Sequence, residues 1–564
     1  MNLTQKILVL IIALLSAKSF ANSSTVFFNG DILTMRGDRP EYVEALVIQH
    51  DKIMYVGNKN QALMEAGPLP TLHDLKGQTL MPGFIDSWGH FSLIAQNTLG
   101  VNLGYFAENP PQTKGQAIKK LISEGKPFNG WILSSGYSEA MLSDGGLSLA
   151  DLDKAFPEQP LLIQNISTLT GQVNTAGLKK LGITTSTKAV SGFIPVDPKT
   201  GKLTGELIGM PFMDAVVRAV GQYSQDNTFD TYRKAERIYL SNGFTTAQSY
   251  EATVDDINNM RKAVQEKVIS LDLIALPTYD VVDTLLKTNP NYAFGKYSAQ
   301  DRGFKVAGIM VPTDGAPQLR LAYFTQPYLN TGNFGKDWRG FPYNTQYLVD
   351  HYAKLAYEKN IQYFGYSNGD AGIDMTLAAI NKAIKETGVT ENRRTVISHS
   401  FFAREDQLAQ YRDLNLIAIT LPNHIWLYGD VYLKILGEER AKNISPLSSA
   451  AKKGVRIGIH NDTPSSGPSV LFSVWSAVNR KTFTGKTLGE EQKISAYQAL
   501  QGFTVNAAYQ YKEELSKGTL AKGMLADLVI LDRNPVKVIP DDIKNIRVLQ
   551  TIKHGKRLYD TKPN

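Results

Sequence analysis

Leu80-Met81-Pro82-Gly83-Phe84-Ile85-Asp86-Ser87-Trp88-Gly89-His90-Phe91 runs a short apolar strand into three chemically distinct side chains. Asp86, Trp88 and His90 recur at every second residue, so an extended chain projects them to one side. Side chains delivered from the C-terminal end of a strand face the mouth at which parallel α/β barrels carry their chemistry. Outward from this stretch, strand-length apolar runs alternate with amphipathic ones. Thr395-Val396-Ile397-Ser398 precedes a helical pattern from Arg404 to Arg412, and Leu416-Ile417-Ala418-Ile419-Thr420 follows it. Repetition of that unit predicts an α/β fold with a parallel barrel or a doubly wound sheet.

The two ends of the chain have a different texture. Ser24 to Gly57 alternates β-rich runs such as Val26-Phe27-Phe28 and Ala45-Leu46-Val47-Ile48 with turns, and Ala526 to Asp532 and Val548 to Ile552 read the same way. Residues 22–79 and 516–564 are therefore expected to build one small composite β-sandwich domain around a barrel spanning 80–515. The stretch from about 101 to 213 is irregular and rich in Gly, Pro and Ser, and reads as an insertion over the pocket mouth. Residues 1–21, with Lys6, an apolar run from Ile7 to Leu15 and Ser19-Phe20-Ala21, read as a cleaved secretory signal, which predicts a periplasmic or secreted protein. No later apolar run approaches the roughly 18 residues a spanning helix needs.

Composition narrows the chemistry. The 564 residues include no Cys, so disulfides, thiolate metal sites and a Cys nucleophile are excluded, and any metal must rest on His, Asp, Glu or a modified Lys. The formal charge of +7 comes from basic residues interleaved with acids. Without a basic block or an aromatic-basic stripe, nucleic acid is not an expected partner.

Further segments end in chemically useful residues: Gly308 to Gln318, Gln362 to Ala371, Ile397-Ser398-His399-Ser400, Pro422-Asn423-His424, Gly458-Ile459-His460-Asn461-Asp462-Thr463-Pro464 and Lys517 to Asp532. Together with Leu80–Phe91 they resemble the amidohydrolase superfamily, in particular amidohydrolase family 3, the group containing N-substituted formamide deformylase. The resemblance covers nearly the whole chain after residue 21 and implies a TIM-like (β/α)8 barrel. It also implies roles. Family members read Pro-Gly-Phe-Ile-Asp-Ser-His-Gly-His-Phe with both histidines on a metal, and Trp88 stands at the first. Met310 occupies the position of a lysine that becomes carboxylated and bridges two metals, and Tyr366 replaces a ligand histidine. His399 keeps a ligand position, His424 a position near substrate, and Asp462 the position of a metal ligand and general base.

The three departures have physical consequences. Trp88 offers a cation no lone pair, Met310 offers a soft thioether, and Tyr366 could ligate only as phenolate, about three pH units from neutrality. His90, His399 and Asp462 remain, enough for one divalent ion (zinc, iron or manganese) or for none, and the bridge of a two-ion centre is missing. Trp88 and Met310 add apolar volume and predict a narrower, drier pocket.

Three functions are open at this stage. One is hydrolysis of a carbon–nitrogen bond other than a peptide bond in a small amide-like substrate. Asp462 would be the base and His424 would polarise the carbonyl, with His424, His460, Tyr366 and Trp88 contacting substrate. The second is a metal-free pseudoenzyme that binds a small molecule or regulates, like relatives described as regulators of exoenzyme production. The third is metal-free acid/base chemistry by Asp462, His399 and Tyr366. His50, His73, His351 and His554 lie outside the motifs and read as surface or structural. A barrel with a composite β domain leaves faces for a homodimer contact.

Overall fold

The computed structural model describes residues 24–105, 107–189, 192–221, 224–298 and 302–561; the expected signal segment, residues 1–21, lies outside the described residues. The two ends of the chain share one sheet. Eight strands take part, ordered Lys556–Asp560, Val548–Lys553, Leu528–Leu531, Thr79–Pro82, Thr25–Leu33, Tyr42–Gln49 and Lys52–Gly57, with Thr71–Asp74 also paired to Thr25–Leu33. The junction is antiparallel, with Leu528 opposite Pro82 and Leu531 opposite Thr79. One face buries Phe27, Ile32, Leu46, Leu80, Leu528 and Ile530 together, so apolar residues nearly 500 positions apart in sequence share a core.

Thr79–Pro82 leads through Gly83 into Phe84–Ile85, which pairs in parallel with Phe244–Tyr250. A Cβ at Gly83 would stand 2.4 Å from Thr245 Cγ2, so only glycine lets the chain cross here. Two parallel arrays follow. The first holds Phe84–Ile85, Phe244–Tyr250, Asp272–Leu276 and Phe304–Val306; the second holds Gly308–Pro312, Gln362–Ser367, Val396–His399, Ile417–Thr420 and Arg456–Ile459. Within each array the strands follow in chain order, with the Val101–Gly209 strands interposed in sequence between Phe84–Ile85 and Phe244–Tyr250. At one seam the Met310 amide donates to Pro277 O at 3.0 Å, and at the other Ser87 Oγ donates to Ile459 O at 3.0 Å. The backbone ladder is thus two arrays joined by isolated bonds, where one continuous cylinder was expected.

The stretch expected to be irregular is regular. Six strands between Val101 and Gly209 form a separate sheet, ordered Gly192–Phe193, Glu206–Gly209, Thr170–Val173, Leu161–Asn165, Ile132–Tyr137 and Val101–Asn102. These strands are two to six residues long. Runs so short carry too little hydrophobic period to stand out among Gly and Ser.

A buried ionic cluster binds the terminal sheet to the first array. Asp272 Oδ2 accepts from Lys517 Nζ at 2.5 Å and from Lys553 Nζ at 2.6 Å; Lys553 also reaches Asp527 at 2.7 Å, Lys517 reaches Glu513 at 2.7 Å, and Lys305 pairs with Glu513. All six side chains are buried. Three ammonium groups face three carboxylates, so the cluster as a whole carries no excess charge. Burial alone would raise the Glu513 carboxyl, but Lys517 and Lys305 outweigh it and hold it down at about 2.

Removing one member leaves a buried charge without its partner. Asp272→Ala is expected to lower unfolding free energy by ~3–5 kcal/mol in urea titration. Pairing it with Lys517→Met, which keeps the charge balance, should recover part of that loss. Because Glu513 titrates lower in the folded chain than its unfolded value of about 4.3, its contribution is complete above that value and fades as pH falls towards 2. Thermal melts between pH 6 and 3 should follow that direction.

Candidate functional site

The strand ends converge on one cavity of about 210 Å³, lined among others by His90, Tyr366, His399, His424 and Asp462. His90 follows the Phe84–Ile85 strand and places Nε2 3.3 Å from Asp462 Oδ1. His399 ends Val396–His399, Tyr366 lies on Gln362–Ser367, and Asp462 is the third residue beyond Arg456–Ile459. His424 enters from the first turn of the helix Asn423–Leu436, its Nδ1 3.0 Å from the Tyr432 hydroxyl. Glu251 (φ 54°), His399 (φ 68°) and Asp462 (φ 51°) all adopt the left-handed region. Such conformations are uncommon for residues with a Cβ and concentrate at functional sites.

Trp88 and His460 lie beneath this cavity and do not line it. Both are fully buried, with ring centroids 6.4 Å apart, and His399 meets both in edge-type contacts, at 5.6 and 5.1 Å between centroids. Trp88 and Met310 belong to one apolar cluster with Ile85, Ile274, Phe364 and Ile419. The expected apolar filling is therefore present. His50 and His351 are exposed, His73 packs on Phe27 at 4.8 Å between ring centroids, and His554 lies beside the ionic cluster. None of the four touches the cavity.

Burial and pairing set the charges. Burial works against a charged His90, but the hydrogen bond and charge of Asp462 outweigh it and raise its pKa. Asp462 is likewise penalised by burial, yet His90, with the neighbouring histidines, holds it far below the carboxylate range. Burial pushes His399 and His424 down to about 3, leaving both neutral at pH 7. It also drives the Tyr366 phenol well above its ordinary value, so no phenolate forms. Asp86 does not hold His90. It accepts from the Tyr239 hydroxyl at 2.9 Å and the Trp88 amide at 3.2 Å, and burial raises it to about 6.

The donor set fits one ion and not two. At the three positions where the resemblance implies further ligands stand a buried indole, Trp88, a buried thioether, Met310, and a phenol that stays protonated, Tyr366. His90, His399 and Asp462 share the cavity, and His399 Nδ1 is buried with no hydrogen-bond partner, as suits a free donor. The three are not gathered to ligating distance. Among the described residues, only Asp272, Asp527 and His554 bring ligand atoms within 4.8 Å of one another, and lysines already hold those carboxylates. His90 Nε2 and Asp462 Oδ1 are meanwhile engaged with each other at 3.3 Å.

Several lining residues escaped the sequence reading: Tyr250, Glu251, Tyr343, Phe401 and Tyr428. Tyr250 and Glu251 close the Phe244–Tyr250 strand, so a strand end with a carboxylate was the available signal. Tyr343 comes from a loop and Tyr428 from mid-helix, without a local pattern. Ser167, Thr168 and Leu169, from the turn between Leu161–Asn165 and Thr170–Val173, also line the cavity. Asp314 and Asn368-Gly369 prove to be one knot: the buried Asp314 carboxylate accepts from the amides of Tyr323 (2.9 Å), Asn368 (2.8 Å) and Gly369 (2.8 Å).

Comparison with known proteins places this geometry. The profile of the amidohydrolase family matches residues 71–559. An N-substituted formamide deformylase of Arthrobacter pascens is 23% identical over 552 residues, covering 95% of this chain and 98% of its own. An exoenzymes regulatory protein of Pectobacterium carotovorum subsp. carotovorum is 24% identical over 479 residues, covering 81% and 97%. Among solved structures, an uncharacterized metal-dependent hydrolase of Pyrococcus horikoshii superposes with a TM-score of 0.72 at 22% identity, covering 92% of this chain and 99% of that one, and so shares its fold.

The charge assignment is open to direct measurement. Imidazole nitrogen shifts in an NMR titration should show His399 and His424 neutral down to pH 5, and His90 titrating above the ordinary imidazole value of about 6.5. In Asp462→Asn the His90 titration should move downward.

Proposed function

We propose, since the chain belongs to the amidohydrolase family, that it hydrolyses a carbon–nitrogen bond other than a peptide bond in a small amide-like substrate. The convergence of His90, His399, His424 and Asp462 on one cavity at the strand ends carries this reading. We read the two parallel arrays as halves of a TIM-like barrel resting on a composite β-sandwich domain, and the protein as exported to the periplasm or beyond.

Asp462 is the base. Its carboxylate stays ionised at neutral pH and takes a proton from the attacking water, then returns it to the leaving nitrogen. His90 fixes the carboxylate and balances its charge from 3.3 Å. His424 Nδ1 pairs with the Tyr432 hydroxyl at 3.0 Å, and in the tautomer that carries its proton on Nε2 the neutral imidazole can donate to the substrate carbonyl oxygen. Apolar filling by Trp88 and Met310 keeps bulk water from below. One divalent ion on His90, His399 and Asp462 would supply Lewis acidity at the same point.

A metal-free binding or regulatory role is the second reading. The closed His90–Asp462 pair and the buried indole at a ligand position favour it, because both occupy places an ion needs.

Amine release from a panel of N-substituted formamides and N-acyl amines, with metal analysis of protein purified without chelator, separates the two. The hydrolase reading expects turnover, no more than about one ion per chain, and a loss of at least ~10²-fold in kcat/KM in Asp462→Ala. Full activity in that variant, or no turnover of any amide, would sink it. Replacing Trp88→His, Met310→Lys and Tyr366→His together should raise metal content to about two ions per chain, whereas each change alone should not.

A further inference from the structure

We propose that the ligand of this cavity carries an organic cation, an alkylated ammonium group seated on the tyrosine faces beside Glu251. The inference rests on the cavity being the functional site, as the proposed function takes it, and not on hydrolysis occurring there.

Charge is the first observation. Among the described residues the cavity lining contains no Lys and no Arg, although the chain has 60 of them and a formal charge of +7. Two carboxylates line it, Glu251 and Asp462. Asp462 already faces His90 at 3.3 Å. Glu251 stands at the exposed end of the Phe244–Tyr250 strand, and its hydrogen-bond donor is a neutral phenol, the Tyr250 hydroxyl at 2.8 Å. An anionic ligand would meet Glu251 and no cationic side chain other than His90, which is already paired with Asp462, whereas a cationic one would meet a carboxylate at the rim.

Aromatic faces are the second. Tyr250, Tyr343, Tyr366, Phe401 and Tyr428 all line the same cavity. The Tyr250 and Tyr366 rings are nearly parallel, 10° apart in tilt, with centroids 6.1 Å apart, and Trp88 backs Tyr250 at 4.5 Å. Electron-rich faces grouped around a cavity with a carboxylate at its rim are the arrangement that holds alkylated ammonium ions, which shed water more readily than a metal ion does. A phenol that stays protonated gives a hard cation no ligand but gives an ammonium group a full π face.

The left-handed backbone at Glu251 is the third. At φ 54° the residue holds an uncommon conformation for a side chain with a Cβ, and it turns the carboxylate-bearing residue to the rim of the cavity.

Isothermal titration of the full mature chain with choline, with its uncharged isostere 3,3-dimethylbutan-1-ol and with acetate decides the matter. Choline should bind at least ~10-fold more tightly than the isostere, and acetate should not compete. Glu251→Gln, isosteric and at an exposed position, should weaken choline at least ~5-fold and leave the isostere unchanged. Tyr250→Leu should weaken choline with the melting temperature recorded alongside. Equal or tighter binding of the isostere, competition by acetate, or no binding of choline overturns the proposal. The hydrolase reading fails separately: choline binding without turnover of any amide sinks hydrolysis and leaves the cation site standing. Turnover of neutral amides that choline does not inhibit does the reverse.

Discussion

A buried indole and a hydrated ion cannot share one point in space, and Trp88 stands where the strand ends converge. Its ring has no exposure and contacts Tyr250, Tyr366, His399 and His460. The cavity is arranged on top of that contact set. Tyr366 and Tyr250 lie nearly parallel above the indole, and His399 meets it edge-on at 85°. Met310 fills the adjoining volume within the same apolar cluster. Close packing of this kind resists the rearrangement that a second ion would demand, because a packed interior responds to added volume by strain and not by flow.

Beneath that floor the frame is held electrostatically. Asp272 begins a strand of the first array, while Lys517, Asp527 and Lys553 belong to the returning C-terminal segment, so the ionic cluster clamps the composite sheet to the parallel arrays. Such a cluster adds little net stability over an apolar equivalent, since desolvation offsets most of the attraction. Its effect is on specificity: three ammonium groups and three carboxylates have a restricted set of pairings, which favours one docking of sheet on array. Gly83 completes the joint, since the strand that ends in the sheet begins the array one residue later.

Different parts of this arrangement were legible to different degrees. The period-two set Asp86, Trp88 and His90 and the strand-end positions of His399 and Asp462 carry local signals, and the structure brings His90, His399 and Asp462 to one cavity. The pairing of Leu528–Leu531 with Thr79–Pro82 was foreshadowed by matching β texture at the two ends. The six-stranded sheet between Val101 and Gly209 was not, because its strands are too short for a hydrophobic period. Nor could His460 be separated from His424, since both follow strands in motif positions. Only packing shows that one lies beneath Trp88's layer while the other lines the cavity. Tyr343 and Tyr428 reach the cavity from a loop and a helix, where nothing in the neighbouring residues marks a tyrosine as different from any other.

The substitutions at Trp88, Met310 and Tyr366 change more than metal capacity. A site built around cations keeps its carboxylates in a field that those cations neutralise. With the ligands exchanged for uncharged groups, each carboxylate needs another partner. Asp462 has one in His90, close enough to raise the imidazole above its ordinary pKa despite burial. Glu251 accepts from a phenol and feels His90 only at longer range, since that imidazole is bonded to Asp462. The carboxylate without a direct cationic partner therefore sits at the rim of the cavity and not at its floor, and it borders rings that tolerate a diffuse positive charge but offer nothing to a small hard one. On the proposed reading, a weaker hold on a hard ion and a preference for a soft cation both follow from indole, thioether and phenol standing at these three positions.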